Sequence, residues 1–129
     1  MDLLNSNDAI GHQVFNTAAD KSFNSITITE AHADGAPGPI IYVNEAFTKM
    51  TGYEADEVIG ETPGFLQGPR TEQAVLQRLA EQLQRGETFH GQTINYRKDS
   101  SEFMLEWSVT PVQNNGVVTH HVAVQRDIS

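Results

Sequence analysis

The C-terminal third of the chain, Phe89 to Asp127, constrains the fold most. It reads as three strand-length segments, Phe89–Lys98, Glu102–Gln113 and Val117–Asp127, separated only by Asp99-Ser100-Ser101 and by Asn114-Asn115-Gly116. Connections this short exclude parallel crossovers, which need a dozen residues or more. An Asn-Gly pair also supplies the positive-φ positions that a two-residue hairpin requires. Three consecutive antiparallel strands follow, and the apolar face of such a sheet needs a cover.

The cover has to come from the residues upstream. Thr71–Arg85 has the clearest helical spacing, with Val75, Leu76, Leu79 and Leu83 on one stripe, Thr71 as a candidate cap and Gly86 as the stop. Asn44 precedes a short helix, Glu45–Met50, that Gly52 ends, and Glu54–Ile59 allows one more turn. Two further segments read as strands, Phe23–Thr29 from its β-branched alternation and Pro39–Val43 from its apolar run, with a Gly- and Pro-rich loop between them. Ile10, Val14, Phe15 and Ala18 give Asp8–Asp20 an amphipathic helical pattern. The expected fold is α+β: a five-stranded antiparallel sheet with short helices on one face. Residues 1–22 form an N-terminal flanking helix segment and residues 23–129 form one domain.

Composition narrows the function classes. The chain has 129 residues with 38% hydrophobic content, enough for one packed core. Its 17 acidic side chains outnumber 8 Lys and Arg, giving a net charge of −9 that argues against a nucleic-acid partner. No apolar run approaches the roughly 18 residues that span a bilayer. The N-terminus lacks the basic-then-apolar pattern of a secretory signal, so no membrane role is expected for this segment. There is no cysteine, which removes disulfides and thiolate metal sites and fits a cytoplasmic setting. His12, His32, His90, His120 and His121 show no ligand spacing, and His120 and His121 alternate faces on a strand, so no metal or haem site is expected. No nucleophile elbow or phosphate-cradling loop occurs, no catalytic residues are assigned, and an enzyme is not expected.

Several landmarks in order resemble one family. Ile41-Tyr-Val-Asn-Glu-Ala-Phe-Thr-Lys-Met-Thr-Gly-Tyr53, Phe65-Leu-Gln-Gly-Pro69, Asn95-Tyr-Arg-Lys-Asp99 and Val124-Gln-Arg-Asp-Ile128 are similar to the signatures of PAS domains close to the LOV branch. The resemblance runs from about Phe23 to Ser129 and implies a PAS fold with a ligand cavity on the inner face of the sheet. It also implies that Gln67, Asn95 and Gln125 are cofactor-binding positions, should a flavin such as FMN bind. The departures from the family are as informative. Pro63 stands where LOV domains carry the adduct-forming cysteine, so cysteinyl photochemistry is excluded. Gly64 and Ala80 replace two phosphate-binding arginines, and Leu105 replaces one of two asparagines that read the flavin edge. No stoichiometric flavin is expected.

Period-2 geometry adds the rest of the site. Leu105, Trp107 and Val109 share one strand face, as do His121, Ala123 and Gln125; with Phe65 and Leu66 they are the expected pocket lining. Ile94, Tyr96, Val122 and Val124 face the other way. With Val14 and Phe15 of the N-terminal helix they form the expected surface of a homodimer. The resulting expectation is a non-photochemical sensory input domain. It passes ligand or dimer-state changes to a C-terminal effector of the histidine kinase (two-component) or diguanylate cyclase type, which the family implies. A cysteine-less flavin domain signalling through Gln125 and a ligand-free dimerisation module are the two alternatives.

Overall fold

A computed structural model describes residues 18, 19 and 22–129. Its strands are β1 (Ser25–Ala31), β2 (Pro37–Val43), β3 (Phe89–Tyr96), β4 (Glu102–Asn114) and β5 (Val117–Asp127). Between β2 and β3 lie α1 (Glu45–Thr51), α2 (Ala55–Val58), a 3-10 turn (Pro63–Leu66) and α3 (Gln73–Gln84). All strand pairings are antiparallel and the spatial order is β2-β1-β5-β4-β3. This is the α+β PAS architecture that the sequence implies. The last strand occupies the centre of the sheet, between the first strand and the β3–β4 hairpin.

Local chemistry explains the elements. Asn115 and Gly116 both take positive φ (54° and 79°), so β4 and β5 join through the tight turn expected of Asn-Gly, with Asn114 opposite Val117. Asn44 caps α1. Its Oδ1 accepts the N–H groups of Phe47 at 3.2 Å and Ile26 at 2.8 Å, and its amide donates to the carbonyls of Ala19 and Asn24. One buried side chain thus ties α1, the start of β1 and the residues before it together. Gly52 closes α1 at φ 81°, a left-handed conformation that costs glycine no Cβ clash.

Other boundaries move from their expected places. The first strand runs from Ser25 to Ala31 rather than from Phe23, whose side chain is fully exposed. β2 begins at Pro37, because pairing of Ala31 with Pro37 draws part of the Gly/Pro-rich stretch into the sheet. Thr71 does not cap α3. Its hydroxyl donates to Ile94 O at 2.7 Å and accepts from Gly68 N, fastening the loop before the helix to β3. The helix starts at Gln73 behind Glu72, whose N–H donates to the Thr93 hydroxyl.

Two apolar clusters fill the space between sheet and helices. Leu83, Phe89, Phe103, Leu105, Trp107 and Val109 form one, with Val75 and Leu79 of α3 packed on it. Ile40, Val43, Phe47, Val58 and Leu66 form the other. Phe89 and Trp107 meet with ring centroids 4.9 Å apart, and Phe65 meets Tyr53 edge-on at 5.1 Å. Each large apolar side chain buried this way contributes about 1.5–3 kcal/mol. Val14 and Phe15, and most of the helix expected over Asp8–Asp20, lie outside the described residues; Ala18 and Ala19 are helical. No helix among the described residues is long and apolar enough to cross a membrane.

Candidate functional site

Strict alternation sends Ser25, Thr27 and Thr29 of β1 to the inner face, where they meet Gln125, Ala123 and His121 of β5 in register. On the other side of β5, Trp107, Val109 and Pro111 of β4 pair with the same three residues. A cavity of about 60 Å³ remains here between the sheet, the 3-10 turn and α3. Its floor is Thr27, Thr29, Trp107, Val109, His121, Ala123 and Gln125, and Pro37, Pro63 and Leu79 close it. A wider groove of about 250 Å³ shares Pro37, Pro63 and Leu79 and opens past Gly64, Gln67 and Ala80.

Five of the expected lining and contact residues therefore converge: Trp107, Val109, His121, Ala123 and Gln125. Gln67 is exposed and lines only the outer groove. Phe65, Leu66 and Leu105 belong to the packed clusters. Asn95 is buried at the Phe103 end of the sheet, and its Oδ1 has no partner among the described residues. Thr27 and Thr29 were not anticipated as site residues, although the Ser25-Ile-Thr-Ile-Thr29 alternation puts both hydroxyls on one face.

The two ends of the cavity floor differ in hydrogen bonding. At one end the Gln125 carbonyl accepts from the Ser25 hydroxyl at 3.0 Å and from the Thr27 hydroxyl at 2.9 Å. At the other end, the Thr29 hydroxyl and both ring nitrogens of His121 are buried without a partner among the described residues. His121 is only 2% exposed. Among the described residues it is the one titratable side chain lining the cavity. Burial holds its pKa below the ordinary histidine range, and the neighbouring His120 adds a smaller push in the same direction.

A flavin, the group implied by the family resemblance, needs room for a tricyclic ring and a cation for its phosphate. Sites for ligands of drug size are typically about 300–1,000 Å³, and Trp107 fills much of the space here. Among the described residues, no Lys or Arg lines the groove at Gly64 and Ala80. The nearby cations are engaged elsewhere. Arg70 pairs with Glu102 at 2.9 Å, while Arg78 donates to His90 O and lies 4.7 Å over the Phe89 ring. The residues present do not fit a phosphorylated flavin.

Residues 24–129 match the PAS domain family. This chain belongs to the PAS family. Its structural neighbours include LOV domains. It is 40% identical over 92 residues to phototropin-2 of Oryza sativa subsp. japonica, which covers 70% of this chain and 10% of that protein. The LOV domain of a blue-light activated histidine kinase from Erythrobacter litoralis EL346 superposes with a TM-score of 0.75 at 33% identity, covering 82% of this chain and 96% of that one. An RNA-binding light-oxygen-voltage receptor gives a TM-score of 0.83 at 29% identity, covering 99% of this PAS domain and 36% of that chain. The curated relatives are much longer proteins, of which this PAS domain spans from 10% to 23%. PAS domains of this kind are sensory input domains of signalling proteins.

The depressed His121 titration gives this PAS domain a testable pH response. The unfolded chain binds a proton near pH 6.5, whereas the buried imidazole binds one only at lower pH. Stability from the neutral form is complete above about pH 6.5 and is lost as pH falls through that value toward the native pKa. Urea midpoints measured from neutrality down to about pH 5 should fall more steeply for the wild type than for His121→Gln. Equal slopes would show that burial leaves this imidazole unperturbed.

Proposed function

We propose that this PAS domain is a non-photochemical sensory input module. It relays the state of its cavity, or of its dimer, to a C-terminal effector. The observation that carries this reading is the small cavity behind a groove without cations, in a chain that has no thiol to form a flavin adduct. Residues 1–22 serve as a flanking segment and residues 23–129 as the sensor. A histidine kinase of a two-component system is the favoured effector, given the neighbour from such a kinase; a diguanylate cyclase is the second choice. The absence of cysteine supports a cytoplasmic setting, and the net charge of −9 disfavours nucleic acid as a partner.

A route from cavity to effector runs along β5. Gln125, on the cavity floor, is two residues from Asp127, which pairs with Arg97. Arg97 also donates to Met50 O of α1 at 3.2 Å and to Glu102 O of β4 at 3.1 Å, and it lies 4.9 Å over the Phe103 ring. Ile128 N donates to Met104 O at 2.9 Å. A displacement of α1 or of the inner face therefore reaches Asp127 through one guanidinium. Burial alone would raise the Asp127 pKa, but the hydrogen bonds from Ser129 and Arg97 outweigh it and keep the carboxylate charged.

Freshly purified protein should be colourless, without the visible absorption of a flavin. A spectrum showing about one flavin per chain would replace this reading with the cysteine-less flavin domain, in which Gln125 would reorient at the flavin edge.

We place the homodimer surface on the outer sheet face, with Ile94, Tyr96, Val122 and Val124 joined by Val14 and Phe15. Val124 is 38% exposed. Tyr96 is partly engaged within its own chain, because its ring covers Gly68 and its hydroxyl accepts from Arg70 N. Light scattering should give a dimer for the wild type and a folded monomer for Ile94→Glu or Val122→Glu. A wild type that stays monomeric at high protein concentration would leave the outer face as an intramolecular surface.

A further inference from the structure

We propose that the recognition end of this cavity is the Thr29–His121 pair, and that it takes a small neutral ligand carrying a hydrogen-bond donor and an acceptor in one planar group, such as a short amide or a five-membered nitrogen heterocycle. The inference deepens the reading of the domain as a ligand sensor without flavin and rests on it.

The asymmetry of the cavity floor is the starting point. Gln125 is the polar side chain that the family resemblance singles out, yet its carbonyl is already held by two hydroxyls, Ser25 and Thr27. Both lone pairs of that oxygen are occupied, so it cannot accept from a ligand without displacing one of the two hydroxyls. Thr29 and His121 sit in register across β1 and β5, both buried, and the Thr29 hydroxyl and both imidazole nitrogens lack partners. Buried polar atoms left unmade are costly, so such groups are normally satisfied. Among the described residues, no protein group supplies the missing bonds here.

The donors and acceptors define the partner. A neutral imidazole offers one N–H and one lone pair, and a hydroxyl offers both functions. The complement must therefore present both a donor and an acceptor. It must also be uncharged, because among the described residues no Lys, Arg, Asp or Glu lines the cavity and an unpaired buried charge is strongly disfavoured. Leu79, Val109 and Ala123 surround the polar end and favour a body with carbon faces. The volume of about 60 Å³ would hold roughly four to six waters at about 10–15 Å³ each, which is the size of a ligand with about five non-hydrogen atoms. The groove sharing Pro37, Pro63 and Leu79 gives the path inward.

The test is a titration of the 15N-labelled chain with acetamide and with pyrazole, using acetate as the charged control. The two neutral probes should produce saturable shifts at the Thr29, His121 and Ala123 amides, and acetate should produce none. His121→Phe and Thr29→Val, each checked for folding by circular dichroism, should weaken binding about tenfold or more. Two variants are used so that one misfolded protein does not decide the outcome. A colourless wild type with no saturable response to either neutral probe would make the pair a hydrated pocket and overturn the inference, leaving the flavin-free reading intact. Binding unaffected by both substitutions would overturn it as well. Protein that purifies with flavin would overturn both readings together.

Discussion

The fold depends on returning the last strand to the first. β5 must lie between β1 and β4, so residues about a hundred positions apart in sequence have to pair before the sheet is complete. The buried bonds from the Ser25 and Thr27 hydroxyls to the Gln125 carbonyl, with sequence separations of 100 and 98, mark that closure from within. The β3–β4 and β4–β5 hairpins are local and carry their own turn signals. The β1–β5 seam has none and relies on side-chain complementarity. Such non-local pairing is slow to form, because loop-closure entropy is lost before any contact compensates for it. The same seam is the floor of the cavity, so closure of the fold and construction of the site are one event.

That coupling makes the site's chemistry legible. A glutamine placed to read a ligand edge in a LOV-type pocket is here used to hold two strands together. Trp107 fills space beside it, and the polar groups without protein partners lie one pair farther along β5, at His121 and Thr29. The mouth tells the same story from outside, since Gly64 and Ala80 leave a groove without cations while Arg70 and Arg78 are engaged elsewhere. The PAS scaffold is retained, while the proposed ligand is smaller than a flavin and uncharged. Near the end of β5, Arg97 ties Asp127 to α1 and β4.

Much of this was readable in the sequence, for physical reasons. Period-2 alternation placed Trp107, Val109, His121, Ala123 and Gln125 on one face, and Asn-Gly fixed the last hairpin. Asn44 and Gly52 bounded α1 through local capping. The misplaced features depend on partners distant in the chain. Thr71 looks like a helix cap until β3 supplies Ile94 O as its acceptor. Pro37 and Gly38 look like a loop until β1 pairs with them. Gln125 lines the cavity, but nothing local shows that Ser25 and Thr27 hold its carbonyl, or that His121 finds no partner among the described residues. Phe65 and Leu66 were expected around the pocket from the motif that contains them, but the 3-10 turn directs them into the Ile40–Phe47 cluster. Central placement of β5 is a topological fact that no local signal encodes.

The central claim is that this cavity is closed to flavin by its own side chains. Titrating the purified chain with FMN and with riboflavin, and following flavin fluorescence, tests it most directly. Riboflavin lacks the phosphate, so the pair separates the missing cations from the missing volume. A cavity closed to flavin should leave both fluorescences unquenched by the protein. Saturable one-to-one quenching of riboflavin would contradict the small cavity, and the same result with FMN would contradict the claim in full.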